Sequence, residues 1–106
     1  MRNVDREEPL YMIGVVSRIC ELHPQTLRMY ERLGLVTPKR VKSKNRMYSE
    51  ADIERLRQIQ RLTHDMGVNL AGVEIILNLL EKMHRMQEEM EHEMDRMRRE
   101  IERRVR

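Results

Sequence analysis

The chain has 106 residues, a formal net charge of +3, 37% charged residues, three tyrosines and neither Phe nor Trp. So few aromatics argue against a large aromatic ligand pocket and against a platform that stacks single-stranded bases. No apolar run approaches the roughly 18 residues of a membrane span, and the N-terminus lacks the apolar core of an export signal.

The last third differs in composition, which leaves a globular part of about 70–75 residues, small enough that oligomerisation is a common remedy. Cys20 is the only cysteine, so no internal disulfide forms, and a reducing cytoplasm is expected. The charge is unevenly spread. Residues 23–48 hold seven Lys or Arg and one acid, Glu31, a local +6; residues 67–106 hold eight basic and nine acidic residues, a local −1. The positive charge is concentrated on one stretch, as in nucleic-acid binders.

In chain order, Met1–Pro9 reads as a loosely attached polar tail. Leu10–Leu22 predicts a short helix, after a single extended residue pair, with Ile13, Val16, Ile19 and Leu22 as its stripe. Cys20 beside that stripe reads as a small buried hydrophobe rather than a sensor thiol. Glu21–Pro24 turns the chain into a second helix. His23 is its expected N-cap and Pro24 its first residue, where a missing N–H costs nothing. Leu27, Tyr30 and Leu33 form its expected buried stripe, Gln25, Arg28 and Arg32 lie on other faces, and Gly34 ends it as the left-handed C′ residue. Two helices joined by such a turn, the second short and basic, predict a helix-turn-helix.

Pro38 to Tyr48 follows with Lys39, Arg40, Lys42, Lys44 and Arg46 and no acid. Leu35–Val36 and Met47–Tyr48 are the expected strands flanking this basic loop, which together read as a wing lying along DNA phosphates while the helix enters the major groove. Ser49 and Asp52 predict a capping box. The helix behind them carries Ile53, Leu56, Ile59, Leu62 and Met66, Gly67 ends it, and Asn69 caps the next.

From Ile76 the apolar residues fall into a heptad at Ile76, Leu80, Met83, Gln87, Met90, Met94, Met97, Ile101 and Arg104, seven of nine apolar. A helix from Glu74 to Val105 would run about 48 Å. A domain of this size cannot cover such a seam, so a second copy of the chain is its simplest partner. The expected organisation is a tail at 1–9, a winged helix-turn-helix at 10–73 and a dimerisation helix at 74–106.

Other chemistry finds little support. His84 and His92 lie eight residues apart on one helix and cannot share an ion within it. His64 stands alone, His23 reads as a cap, and no metal or cofactor is expected. The carboxylates between Glu88 and Glu93 form a solvated helix flank, and no nucleophile and base come together, so enzymatic activity is not expected.

The order of elements resembles the MerR family of bacterial transcription regulators. The residues carrying the resemblance are Ile13-Gly14, Thr26-Leu27-Arg28-Met29-Tyr30-Glu31-Arg32-Leu33-Gly34-Leu35, Pro38, Arg46-Met47-Tyr48-Ser49, Asp52, Leu56 and Met66-Gly67-Val68-Asn69-Leu70. Within the family, His23-Pro24-Gln25-Thr26-Leu27-Arg28, Ile59-Gln60-Arg61-Leu62 and Gly67-Val68-Asn69-Leu70-Ala71-Gly72 are most similar to the heat-shock repressor branch. Met29 stands where many members have an aromatic, and Met47 where they have a second Arg.

The resemblance implies a mostly α winged helix-turn-helix with a small β wing and a C-terminal coiled coil. It further implies a cytoplasmic, nucleoid-associated homodimer that represses chaperone operons at inverted repeats of double-stranded DNA, with a DnaK-type chaperone as co-repressor. Gln25 and Arg28 are the expected base-edge residues. Tyr30, Arg32, Lys39, Arg40, Lys42, Lys44, Arg46 and Tyr48 are expected to contact or frame the phosphates, Tyr30 through its hydroxyl alone because its ring lies on the buried stripe. A ligand-responsive activator is the alternative within the family, although no effector domain is expected here. A coiled-coil adaptor without DNA binding is the alternative outside it.

Overall fold

The computed structural model describes residues 5–41 and 45–105. Its elements are β1 (Tyr11–Met12), α1 (Ile13–Cys20), α2 (Pro24–Arg32), β2 (Lys39–Val41), β3 (Asn45–Tyr48), α3 (Glu50–Gln60), a π-helical turn (Arg61–Asp65) and α4 (Leu70–Val105). They form two compact units that divide between Val68 and Asn69. The break falls there because Gly67 takes φ +68, a left-handed conformation that ends a helix. Asn69 then starts the next one, its Oδ1 accepting the Gly72 N–H at 2.8 Å.

In the first unit Val16, Leu27, Tyr48, Leu56 and Ile59 are fully buried, joined by Cys20, Leu22, Tyr30, Leu35, Val36 and Ile53. Burying each such large side chain contributes about 1.5–3 kcal/mol. Two expected stripes are corrected. Ile19 is 43% exposed and Leu33 48% exposed. Each step of three residues falls about 60° short of a full turn, so an i, i+3, i+6 series drifts off the core. Helix α1 buries the i, i+4 pair Val16 and Cys20 instead, and Leu22 enters the core from beyond the helix end.

The sheet is antiparallel in the order β1-β3-β2. Tyr11 pairs with Tyr48 and Met12 with Met47, while Lys39, Arg40 and Val41 pair with Met47, Arg46 and Asn45. Leu35 and Val36 are therefore not the wing strand. Pro38 has no N–H to offer a ladder, pairing begins beyond it, and Leu35 and Val36 fill the core at 3% exposure each.

The Ser49 capping box forms as expected: Ser49 Oγ accepts the Asp52 N–H at 3.1 Å and Asp52 Oδ2 accepts the Ser49 N–H at 2.9 Å. A cap of this kind contributes about 1 kcal/mol. Of the stripe behind it, Ile53, Leu56 and Ile59 are buried, Leu62 is half-buried and Met66 leaves it. In the π-helical turn the Met66 N–H bonds to the Arg61 carbonyl, five residues back. The extra residue rotates Met66 out to 69% exposure. The described part of the tail is tied down rather than loose. The Arg6 carbonyl accepts the Ala51 N–H at 3.0 Å, the Arg6 guanidinium pairs with Glu54, and the Leu10 N–H reaches the Tyr48 carbonyl at 3.1 Å.

The second unit is one 36-residue helix, α4, about 54 Å long at the usual rise. Val73 and Leu77 are its buried residues. Beyond them the apolar seam lies open: Leu80, Met83, Met90, Met94, Met97 and Ile101 are all exposed. Ile76 is half-buried, and Gln87 and Arg104 face solvent. Ion pairs at Glu93–Arg96, Asp95–Arg98 and Glu100–Arg103 line the flanks, each worth little on its own in water.

Candidate nucleic-acid interface

The turn between α1 and α2 is pinned by its own backbone and by two side chains. Glu21 takes φ +54, and its N–H and that of Leu22 both reach the Ser17 carbonyl. The Ser17 hydroxyl donates to the Leu22 carbonyl, and Gln60 Nε2 donates to the Cys20 carbonyl at 2.6 Å. Cys20 itself is a core residue, and burial pushes its thiol up, against a smaller pull from Arg57.

Helix α2 is closed at both ends. His23 Nδ1 accepts the Gln25 N–H at 3.1 Å, with Pro24 at the first position. At the other end the Gly34 N–H bonds to the Glu31 carbonyl and the Leu35 N–H to the Tyr30 carbonyl, with Gly34 at φ +76. That pair of bonds is a Schellman closure. Arg55 Nε holds the Leu35 carbonyl just beyond it at 2.9 Å. A nine-residue helix too short to be stable alone in water is thus fixed by caps and by the buried Leu27 and Tyr30.

Gln25 and Arg32 are exposed on α2 and Arg28 is half-exposed. Spacings of three and four residues set them on adjoining turns of one surface. Lys39 and Arg40 are exposed on β2. Lys42 and Lys44 lie outside the described residues.

Tyr48 and Arg46 do not sit as a phosphate-contact role requires, whereas Tyr30 keeps its ring on the buried stripe, as expected. Tyr48 is fully buried and Tyr30 is 5% exposed. The Tyr48 hydroxyl is buried with no hydrogen-bond partner among the described residues, and burial, followed by the Glu31 carboxylate, pushes its phenol above the ordinary range. Strand alternation explains the placement: the residue that pairs with Tyr11 points its side chain to the core face. Arg46 donates through Nε to the Glu31 carboxylate on α2. That tie was not anticipated from the sequence. Its signal was Glu31 itself, the one acid in a basic stretch.

Among the described residues no group of three or more His, Cys, Asp or Glu is arranged to hold a metal ion, and no helix is long and apolar enough to cross a membrane.

A capped helix-turn-helix followed by a basic two-stranded hairpin, set in a three-stranded sheet, is a winged helix-turn-helix, the architecture of DNA-binding transcription regulators. Residues 11–80 match the MerR HTH family of regulatory proteins, and the chain belongs to that family. It is 52% identical over 73 residues to the putative heat shock protein HspR of Streptomyces coelicolor, covering 69% of this chain and 48% of that protein. The chain thus spans about half the length of this relative.

Two solved structures share the fold. The transcription regulator PbrR691 of Ralstonia metallidurans, in complex with lead(II), has a TM-score of 0.61 at 30% identity over 68% of this chain and 56% of that one. The N-terminal part of MtaN, the multidrug transporter activator of Bacillus subtilis, has a TM-score of 0.60 at 26% identity over 91% of this chain and 98% of that one.

Proposed function

We propose that this chain is a cytoplasmic, nucleoid-associated repressor of heat-shock or chaperone genes that binds inverted-repeat operators as a homodimer. The observation that carries DNA binding is the set of surface cations on the two elements: Arg28, half-exposed, and Arg32 beside Gln25 on a doubly capped helix, and Lys39 and Arg40 on the hairpin. The 52% identity to a heat shock protein supports the choice of target genes. The open apolar seam of α4 supports the dimer.

In this reading Gln25 and Arg28 meet base edges in the major groove, where Arg with guanine is the commonest specific pairing. Arg32, Lys39 and Arg40 meet phosphates. A DnaK-type chaperone as co-repressor belongs to the same reading. A small first unit and a methionine-rich seam make for marginal stability, and a partner that binds only the DNA-competent state raises its population.

Two variants separate the roles. Arg28→Ala is expected to lower the preference for one base pair per half-site by about 1–3 kcal/mol. Lys39→Ala is expected to lower the log–log salt slope by roughly one unit while leaving sequence preference unchanged. Affinity measured by fluorescence anisotropy across a salt series, on operator and on single-base variants, reads both. A reversed pattern, with Lys39 altering preference and Arg28 only the slope, contradicts the assignment.

A further inference from the structure

Arg46 and Arg40 face each other across the β2–β3 hairpin, and like charges directly opposed in a sheet repel. Arg46 does not turn out into solvent to relieve this. Its Nε donates to Glu31, fifteen residues back on α2. The pair is partly sheltered, with 30% of the Arg46 side chain and 24% of the Glu31 side chain exposed, so salt screens it less than a surface pair. Tyr48, two residues on along β3, is fully buried, and its hydroxyl feels Glu31 and Arg46 as well as Asp52 and Arg28. The carboxylate therefore does two things at once. It joins the wing to the helix, and it occupies a guanidinium that otherwise suits phosphate well.

We propose that Glu31 is a specificity-setting residue: by holding Arg46 it fixes the wing on α2 and withholds one cation from sequence-independent phosphate binding. This rests on the DNA-binding reading above. Specificity is a ratio, and it improves when the non-specific term falls as well as when the specific term rises. A cation engaged inside the protein adds nothing to counterion release. The same cation freed adds about one further phosphate contact on any duplex.

The test compares the full chain with Glu31→Gln, Arg46→Met and the double variant, binding a random-sequence duplex and a selected operator across a salt series. Glu31→Gln keeps the shape but not the charge. It is expected to bind random duplex several-fold more tightly and to steepen the salt slope by about one unit, a roughly three- to fourfold greater loss over a fourfold rise in salt. Its operator-to-random ratio falls. Arg46→Met alone is expected to keep the parent slope, and in that background Glu31→Gln has no further effect. That last result separates a held Arg46 from a mere change of local charge, which would persist without the arginine.

A parent chain that ignores duplex DNA overturns the DNA-binding reading and this inference with it. A parent that binds, with Glu31→Gln indistinguishable from it, overturns the inference alone. So does an Arg46→Met slope lower by about one unit, which would show the guanidinium already on phosphate. That measurement also stands without Glu31→Gln if the latter fails to fold.

Discussion

Replacing both Met90 and Met94 by Glu is expected to turn a dimer into a monomer and to abolish high-affinity operator binding. Both residues are more than half exposed on the single helix, yet they stand at successive heptad positions amid Leu80, Met83, Met97 and Ile101. In a paired seam the double variant places four carboxylates in a dry interface, and each unpaired buried charge costs about 3–5 kcal/mol. An adaptable methionine seam cannot offset that. A monomer presents one recognition helix and loses the second half-site. Sedimentation velocity reads the oligomeric state directly, and an intact dimer of the double variant would remove the seam assignment.

Leu27→Ala is expected to destabilise the first unit by about 2–5 kcal/mol, the range for a buried leucine truncated to leave a cavity. Leu27 is fully buried beneath α2, and a small domain has only about 5–15 kcal/mol in total. The melting midpoint should fall by at least roughly 10 °C. Leu33→Ala is the control. Its side chain is 48% exposed, so the change should stay within about 0.5 kcal/mol. Equal destabilisation by the two variants would restore the single stripe that periodicity alone suggests.

The contrast between these two leucines shows what the sequence could and could not convey. Capping chemistry was legible because it is local. His23 before Pro24, Gly34 after the helix, Ser49 with Asp52 and Asn69 each satisfy backbone groups within a few residues, and each does so in the structure. Burial and pairing across the fold were less legible. Nothing local distinguishes Leu33 from Leu27, and the choice of Lys39–Val41 over Leu35–Val36 as the strand depends on what the core needs. The loss of Met66 from its stripe follows from the one-residue offset of a π-helical turn, where Thr63 Oγ1 bonds back to the Ile59 carbonyl at 2.9 Å. Spacing rules built on the α-helix cannot anticipate that offset.

The candidate interface divides the same way. Arg32, Lys39 and Arg40 are exposed as their charge suggests, with Gln25 exposed and Arg28 half-exposed beside them on α2. Composition could not show that Tyr48 is enclosed, nor that Arg46 is engaged by Glu31. Both depend on β3 lying in the middle of the sheet, where Arg46 and Tyr48, two residues apart, share one face.

The measurement that tests the account most directly is selection of bound duplexes by the full chain from a random pool at near-physiological salt. A two-fold dimer presents two identical recognition helices, so the DNA it prefers must mirror that symmetry. The account predicts recovery of an inverted repeat, with both half-sites needed for full affinity. Recovery of single half-sites at full affinity, or of no enriched sequence at all, would contradict it.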